Sequence, residues 1–368
     1  MISTPAPTRR EAFTRRLTEA TNGGFDVAAA YLGLRLGLYQ SLADDGPATP
    51  AQLAARTGTN ERLIREWLEQ QAATEILEAT RDGRDGDAWR FSLPADYADV
   101  LLEPDALDGT GGTIKAQIAC FTLLPRLVEA YRSGHGIPFA DYGPDMIEGQ
   151  AASTRPVYSA ELATWFAAVP EVAVRLASKT ARILDIGCGE GWSTVTMARA
   201  FPNARVEGVD LDPASIEAAM ATAEREGVAD RVSFEVRDAA SLAGAGYDVA
   251  TMFEMLHDLS HPVEVLRAAR EALAPGGVVL VADEITEDEF AGPAGEGDRR
   301  HYGWSVLHCL PASMTEPDSA ATGTVIRPST VRAYAEQAGF TSIEILPVES
   351  VAFRLYLCEA EGLTGACK

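Results

Sequence analysis

Apolar and polar positions follow two different rhythms along the chain. Over residues 25–42, alanine, leucine and tyrosine fall on nearly every face, which predicts a mostly apolar helix buried against a neighbour. Thr49-Pro50-Ala51-Gln52 reads as a capped helix start, Gly58 interrupts it, and a second helix is expected over residues 60–73. Two short helices about a glycine turn predict a helix-turn-helix. Residues 76–78 and 89–93, around the turn at 81–87, predict the two strands of a wing. A further helix is expected over 111–132, irregular chain of lid or pocket-wall type over 134–155, and a helix over 159–177.

From residue 181 the rhythm changes. Short apolar runs at 181–186, 204–209, 232–236, 249–253 and 278–282 are separated by helical stretches. Strand and helix alternating at this spacing predict a parallel sheet covered on both faces. A helix over 329–338, stopped by Gly339, is followed by two strands at 342–347 and 352–357. The expected division is 1–110, an N-terminal domain; 111–180, a helical linker and lid; and 181–368, the α/β domain.

Composition narrows the function. The chain has 368 residues, 31 Lys and Arg against 54 Asp and Glu, and a net charge of -23. That length exceeds what one core usually organises, and the acidity argues against nucleic acid or a membrane surface as partner. The would-be recognition helix sets Arg62 and Arg65 against Glu61, Glu66 and Glu69, so it lacks the positive charge that phosphate contacts require. No apolar run is long enough to cross a bilayer, and no apolar region follows the N-terminal arginines as a secretory signal would need. Cys120, Cys188, Cys309, Cys358 and Cys367 are odd in number and scattered, which fits a reducing cytoplasm.

The most informative stretch is residues 182–192, where a strand runs into Gly187-Cys188-Gly189-Glu190-Gly191 and then a helix. Such a turn brings the backbone close to a ligand at a helix start. The third glycine arrives one residue early for a dinucleotide fingerprint, and Asp185 would repel a pyrophosphate but suit a cationic amine. Asp210, at the end of the second strand, is placed to accept from ribose hydroxyls, and Asp238, after the third, from an adenine amine. A ligand with an amine, a ribose and an adenine but no phosphate describes S-adenosylmethionine.

Residues 181–284 resemble the core of the class I S-adenosylmethionine-dependent methyltransferases. The likeness rests on Asp185-x-Gly187-x-Gly189-x-Gly191, Asp210, Asp238, Phe253-Glu254, and Leu273-Ala274-Pro275-Gly276-Gly277 before the fifth strand. With the winged-helix-like region in front, the chain resembles small-molecule methyltransferases whose N-terminal domain dimerises and closes the substrate pocket. The resemblance implies an α/β, Rossmann-like seven-stranded sheet, a homodimer and a small-molecule acceptor. It also implies a donor site at Asp185, Gly187, Cys188, Gly189, Gly191, Asp210, Leu211, Asp238, Ala239 and Phe253.

Leu256-His257-Asp258-Leu259 follows the fourth strand, where related O-methyltransferases carry Leu/Cys-His-Asp-Trp. The resemblance makes His257 the base that takes the acceptor proton, with a structural or a substrate-orienting role as the alternatives. Leu259 departs from the family's tryptophan. No metal is expected, since Pro262 should keep His257 and His261 off one helical face. The acidic run Asp283-Glu284-Glu287-Asp288-Glu289 is expected to be a solvated loop. Tyr142, Tyr158, Trp304 and His308 are the expected substrate wall. Hydroxyl methylation is the leading expectation; transfer to nitrogen, sulfur or carbon, a non-methylating reaction, and a cofactor-sensing DNA-binding regulator are the alternatives.

Overall fold

The computed structural model describes residues 7–81, 88–178, 180–242 and 244–360, and the chain divides into two compact units, Met1–Ile118 and Ala119–Lys368. In the first unit, α1 (Arg9–Arg35) starts where the Thr8 hydroxyl accepts from the Glu11 N–H and the Glu11 carboxylate accepts from the Thr8 N–H. That reciprocal cap extends the helix well ahead of residue 25. The expected single helix over 25–42 is in fact broken, because Gly37 takes the left-handed conformation (φ 65°) before α2 (Leu38–Asp45).

Next come α3 (Pro50–Thr57), capped by Thr49 and Gln52, and α4 (Glu61–Ala73), capped by Asn60. The wing strands β1 (Glu78–Thr80) and β2 (Arg90–Ser92) pair antiparallel with Ala79 opposite Phe91; most of the turn between them lies outside the described residues. The unit continues through α5 (Ala95–Leu102) into α6 (Gly111–Thr122). Its core gathers Leu38, Tyr39, Leu53, Ile64, Leu68 and Phe91, with the Tyr39 ring edge-on to Trp67 at 5.2 Å. On α4 the two arginines pair with glutamates of the same helix, Arg62 with Glu66 and Arg65 with Glu61.

The second unit begins with α7 (Leu124–Ser133), α8 (Pro144–Ala167) and α9 (Pro170–Leu176). Pro125 splits the helix expected over 111–132, since proline lacks the N–H and crowds the residue before it. The reading of 134–155 as irregular fails over most of its length. After a 3₁₀ turn at Phe139–Tyr142 the chain enters α8, which runs straight through Pro156. Its inward side chains Met146, Val157, Tyr158, Leu162, Trp165 and Phe166 are all buried, and this packing outweighs the roughly 3 kcal/mol that an internal proline costs a helix.

The sheet then forms from β3 (Arg182–Ile186), β4 (Arg205–Asp210), β5 (Val232–Val236), β6 (Tyr247–Phe253) and β7 (Leu273–Glu284), with α10 (Trp192–Ala200), α11 (Pro213–Arg225) and α12 (Pro262–Ala272) as crossovers. The chain passes on through α13 (Glu296–Trp304), a π-helical turn at Ser305–Cys309, α14 (Leu310–Ser313) and α15 (Pro328–Ala338) to β8 (Ser342–Ile345) and β9 (Phe353–Glu359). The spatial order is β5-β4-β3-β6-β7-β9-β8. β3 to β7 are parallel, and β9 runs antiparallel to both neighbours.

Alternate residues of each strand enter opposite layers: Ile183, Val249 and Leu280 pack with Trp165 and Phe166, whereas Leu184, Met252 and Val281 pack with Leu266 and Val331. Strand order reverses between β3 and β6, which opens a crevice beyond the carboxyl ends of the central strands. Among the described residues no helix is long and apolar enough to cross a membrane.

Candidate active site

A cleft of about 460 Å³ occupies that crevice, within the size range of small-molecule sites. Its floor comes from the turn after β3. Gly187, Gly189 and Gly191 all have positive φ (70°, 50° and 79°), and a Cβ on Gly187 would also come within 3.0 Å of the Met255 side chain. Only glycine gives both this conformation and this approach without strain.

Asp185 holds the turn in place from beneath. Its carboxylate accepts from the hydroxyls of Ser193 (2.6 Å), Thr194 (2.6 Å) and Thr251 (2.8 Å). It is 1% exposed and does not border the cleft. Burial raises its pKa, and the three hydroxyl bonds oppose that rise. The expected pairing of Asp185 with a ligand amine is therefore corrected: its carboxylate is buried among three hydroxyls of the protein and is not part of the cleft lining. Asp185 precedes the turn by two residues, and strand geometry puts its side chain under the sheet rim.

Asp210 closes β4 and does border the cleft. It accepts from the Gly189 N–H and from the Asp212 N–H, each at 2.9 Å, which ties the second strand's end to the glycine turn. Burial raises its pKa, and these backbone donors counter the rise. Two of its roughly four lone-pair sites are used, so the carboxylate can still accept from a pair of vicinal hydroxyls. Asp238, Leu211, Ala239, Cys188 and Phe253 also line the cleft. The Asp238 carboxylate is exposed and accepts from the Ala240 N–H. Two spaced acids, a close-approach turn and an apolar patch are a residue set that suits the parts of S-adenosylmethionine.

The other end of the cleft is built after β6. His257 sits in a 3₁₀ turn (Leu256–Asp258), 2% exposed and just behind the cleft lining, which its neighbours Asp258 and Leu259 supply, with Nδ1 at 2.6 Å from the Asp283 carboxylate. Nε2 lies 3.4 Å from Asp258, a cleft residue, and His257, Asp258 and Cys309 present their ligand-type atoms within 4.8 Å of one another. Burial alone would lower the His257 pKa; the Asp283 and Asp258 charges override it and hold the imidazole well above its ordinary value. His261 turns away, to Glu316 at 3.2 Å.

Asp283 is fully buried, which corrects its assignment to a solvated run; only Glu287, Asp288 and Glu289 are exposed there. β7 runs on through Glu284, so period-2 alternation carries Asp283 beneath His257, a signal already present in Val279, Val281 and Asp283. Glu284 is driven up to about 7 by burial and lies 3.3 Å from His301, which burial pulls down to about 4.

The expected substrate wall is only partly assembled. Tyr158 borders the cleft, with Phe253 and Phe353 against its ring. Tyr142, Trp304 and His308 do not border it. Tyr142 is buried, donates to the Leu307 carbonyl and packs edge-on to His308 at 4.5 Å. His308 lies behind Phe139, at 5.8 Å. Tyr142 and His308 are corrected to packing, Trp304 is half-buried outside the cleft, and the wall comes instead from Phe139, Ile147, Ala151, Met255, Leu259 and Ala312. Helical spacing on α8 was the missed signal, hidden because residues 134–155 were read as irregular.

Comparisons with known proteins identify the class of enzyme. A family described as a methyltransferase domain matches residues 177–322, and one described as an Rv2258c-like winged HTH domain matches residues 28–102. The 27-O-demethylrifamycin SV methyltransferase of Amycolatopsis mediterranei is 31% identical over 190 residues, 48% of this chain and 69% of that protein. The ubiquinone biosynthesis O-methyltransferase of Cereibacter sphaeroides is 37% identical over 99 residues, which are 27% of this chain and 39% of its own length.

Among solved structures, human N-acetylserotonin methyltransferase in complex with SAM superposes with a TM-score of 0.71 at 16% identity, covering 98% of this chain and 100% of that one. The mitomycin 7-O-methyltransferase gives 0.69 at 22% identity, over 95% and 99%. With the glycine turn, the two spaced acids and the strand order beneath them, these likenesses establish that the chain belongs to the S-adenosylmethionine-dependent methyltransferases that carry an N-terminal winged-helix domain.

Proposed function

We propose that this methyltransferase acts on a hydroxyl of a small, largely apolar acceptor, with His257 as the general base. The observation that carries the reading is the His257–Asp283 pair: the 2.6 Å bond at Nδ1 fixes the tautomer and leaves Nε2 as the proton acceptor beside the cleft wall at Asp258. When bound, S-adenosylmethionine supplies a methyl group already activated on a sulfonium. The chain's own task is to place the acceptor oxygen in line, keep water out and take the hydroxyl proton. Phe139, Ile147, Met255 and Leu259 supply the apolar wall, and the proton passes to His257 Nε2 while Asp283 balances the imidazolium that forms. The rifamycin, mitomycin and ubiquinone enzymes are named for O-methylation, which supports the same acceptor atom here.

Incubation with a labelled methyl donor and a panel of small hydroxylated metabolites, read by mass spectrometry, tests the reaction. His257→Ala tests the base: turnover that falls only a few-fold at every pH would falsify proton abstraction by His257.

The protein is further proposed to work as a cytoplasmic homodimer that joins through its first unit. Phe13, Leu17, Phe25, Leu32 and Leu36, on and just after α1, are exposed apolar side chains, more than a single copy needs. The described cysteines Cys120, Cys188, Cys309 and Cys358 are all buried free thiols, which supports a reducing compartment. Light scattering of a Phe13→Ser/Phe25→Ser variant should show a shift to monomer. The ion pairs along α4 support the reading that this winged helix does not bind DNA.

A further inference from the structure

S-adenosylmethionine brings two positive charges into the cleft, its sulfonium and its ammonium. In a water-poor site each needs a negative partner or an aromatic face. The carboxylates near the methionine portion are few. Asp185 is committed to three hydroxyls beneath the sheet rim, and Asp210 and Asp238 lie toward the sugar and base.

Glu254 is the carboxylate left over. It follows the last residue of β6, takes the left-handed conformation (φ 54°) that non-glycine residues rarely adopt, and is pinned there by its N–H to the Ala282 carbonyl at 2.8 Å. Its side chain borders the cleft beside Phe253, Met255 and Tyr158, and among the described residues its carboxylate receives no hydrogen bond. A strained residue that presents an unanswered carboxylate to a ligand cleft is the kind of feature a fold retains for binding.

We propose that Glu254 is the counter-ion for the positive end of the donor, holding its sulfonium or its ammonium against the carboxylate with the Tyr158 ring alongside. The proposal rests on the donor site described above and gives a role to Glu254, which belongs to the stretch that carries the family likeness but not to the expected donor-site residues. Burial, followed by the Glu284 charge, raises the Glu254 pKa well above the carboxylate range.

The groups that face Glu254 are Glu284 and Asp283 from β7, His257 and Asp258 from the turn after β6, and Tyr158 from α8. His257 alone favours the ionised form. An arriving cation adds to it, so Glu254 gives up its proton to the solvent as the donor binds.

Calorimetry on the full chain separates the possibilities with three probes. S-adenosylmethionine carries both charges, S-adenosylhomocysteine only the ammonium, and 5′-deoxy-5′-methylthioadenosine neither. Glu254→Gln should weaken the charged probes about tenfold or more and the uncharged one less than twofold. A larger loss for S-adenosylmethionine than for S-adenosylhomocysteine assigns the sulfonium; equal losses for these two assign the ammonium. Equal loss across all three probes, or no loss on any, overturns the proposal.

The unmodified protein provides a check independent of any variant. At pH 7, binding of S-adenosylmethionine should release protons, seen as different heats in phosphate and Tris buffers, and the uncharged probe should not. Equal heats in the two buffers for S-adenosylmethionine overturn the proposal and leave the donor site standing. Failure of the unmodified protein to bind any probe overturns the donor site itself.

Discussion

The two ends of the cleft are built on opposite electrostatic plans. At the donor end, every buried acid is answered from within: Asp185 by three hydroxyls, and Asp210 by the Gly189 and Asp212 N–H groups. At the acceptor end, charges face one another with little to balance them. His257 stands between Asp283 and Asp258, Glu284 is driven upward by burial, and Glu254, raised in the same way, stands where the two ends meet. The first plan makes a rigid seat that exists before the ligand arrives. The second leaves proton positions undecided until a ligand supplies the missing charge, as proton-transfer chemistry requires.

The comparison breaks most sharply at His257. Replacement by alanine should lower kcat by about 10² to 10⁴ while the affinity for S-adenosylhomocysteine changes less than about twofold. A parallel loss of affinity in calorimetry would mean that the two ends are not separable.

The pH dependence sharpens it next. A base acts in its neutral form, and the His257 pKa lies above its ordinary value. The rate should therefore climb with pH from neutrality, with a slope near one on a logarithmic plot, and His257→Ala should flatten the climb. Stability should run the other way. Raised folded pKa values for His257, Glu254 and Glu284 mean that the folded chain binds more protons than the unfolded one. The carboxyl contributions begin to fade above the unfolded carboxylate value of about 4.3. The imidazole contribution is complete below about 6.5 and is lost as pH rises through the folded pKa. Thermal melts that rise with pH while turnover rises would contradict this arrangement.

At the donor end, Asp210→Ala should weaken S-adenosylhomocysteine about 10- to 100-fold, the loss expected for charge-assisted hydrogen bonds to two hydroxyls. Asp185→Ala should do something different and smaller to function. It strands three hydroxyls in the core, costs about 1–3 kcal/mol of stability, and lowers the melting temperature by several degrees. If Asp185→Ala weakened the ligand as much as Asp210→Ala with no change in melting, its placement beneath the sheet rim would be wrong.

The difference between the two ends also explains what could be read from the chain. Donor residues lie at strand ends within one short motif each, so local spacing locates Gly187 to Gly191, Asp210 and Asp238 without knowledge of the packing. The His257–Asp283 pair joins residues 26 apart through the pairing of β6 with β7, and the acidity around Asp283 pointed toward solvent instead. Tyr142 and His308 carry the right chemistry for a pocket wall, yet each is consumed by the other, edge to face, with Leu307 taking the hydroxyl. The Thr8 to Glu11 cap was legible but masked by the arginines around it, and α8 was hidden by a proline that its buried face tolerates.

The sequence by itself determined the alternation of strands and crossover helices in the sheet, the glycine turn and the two spaced acids. Those depend on backbone conformation and on periodicity, which act over a few residues. Tertiary structure alone decided which carboxylates stay available. Asp185 and Glu254 both sit at the end of a central strand, but one is surrounded by hydroxyls and the other faces the cleft, because the neighbouring strands and α10 place Ser193, Thr194 and Thr251 on one side of the sheet only. Whether a buried charge is satisfied depends on groups that arrive from distant parts of the chain, and no local pattern encodes their arrival.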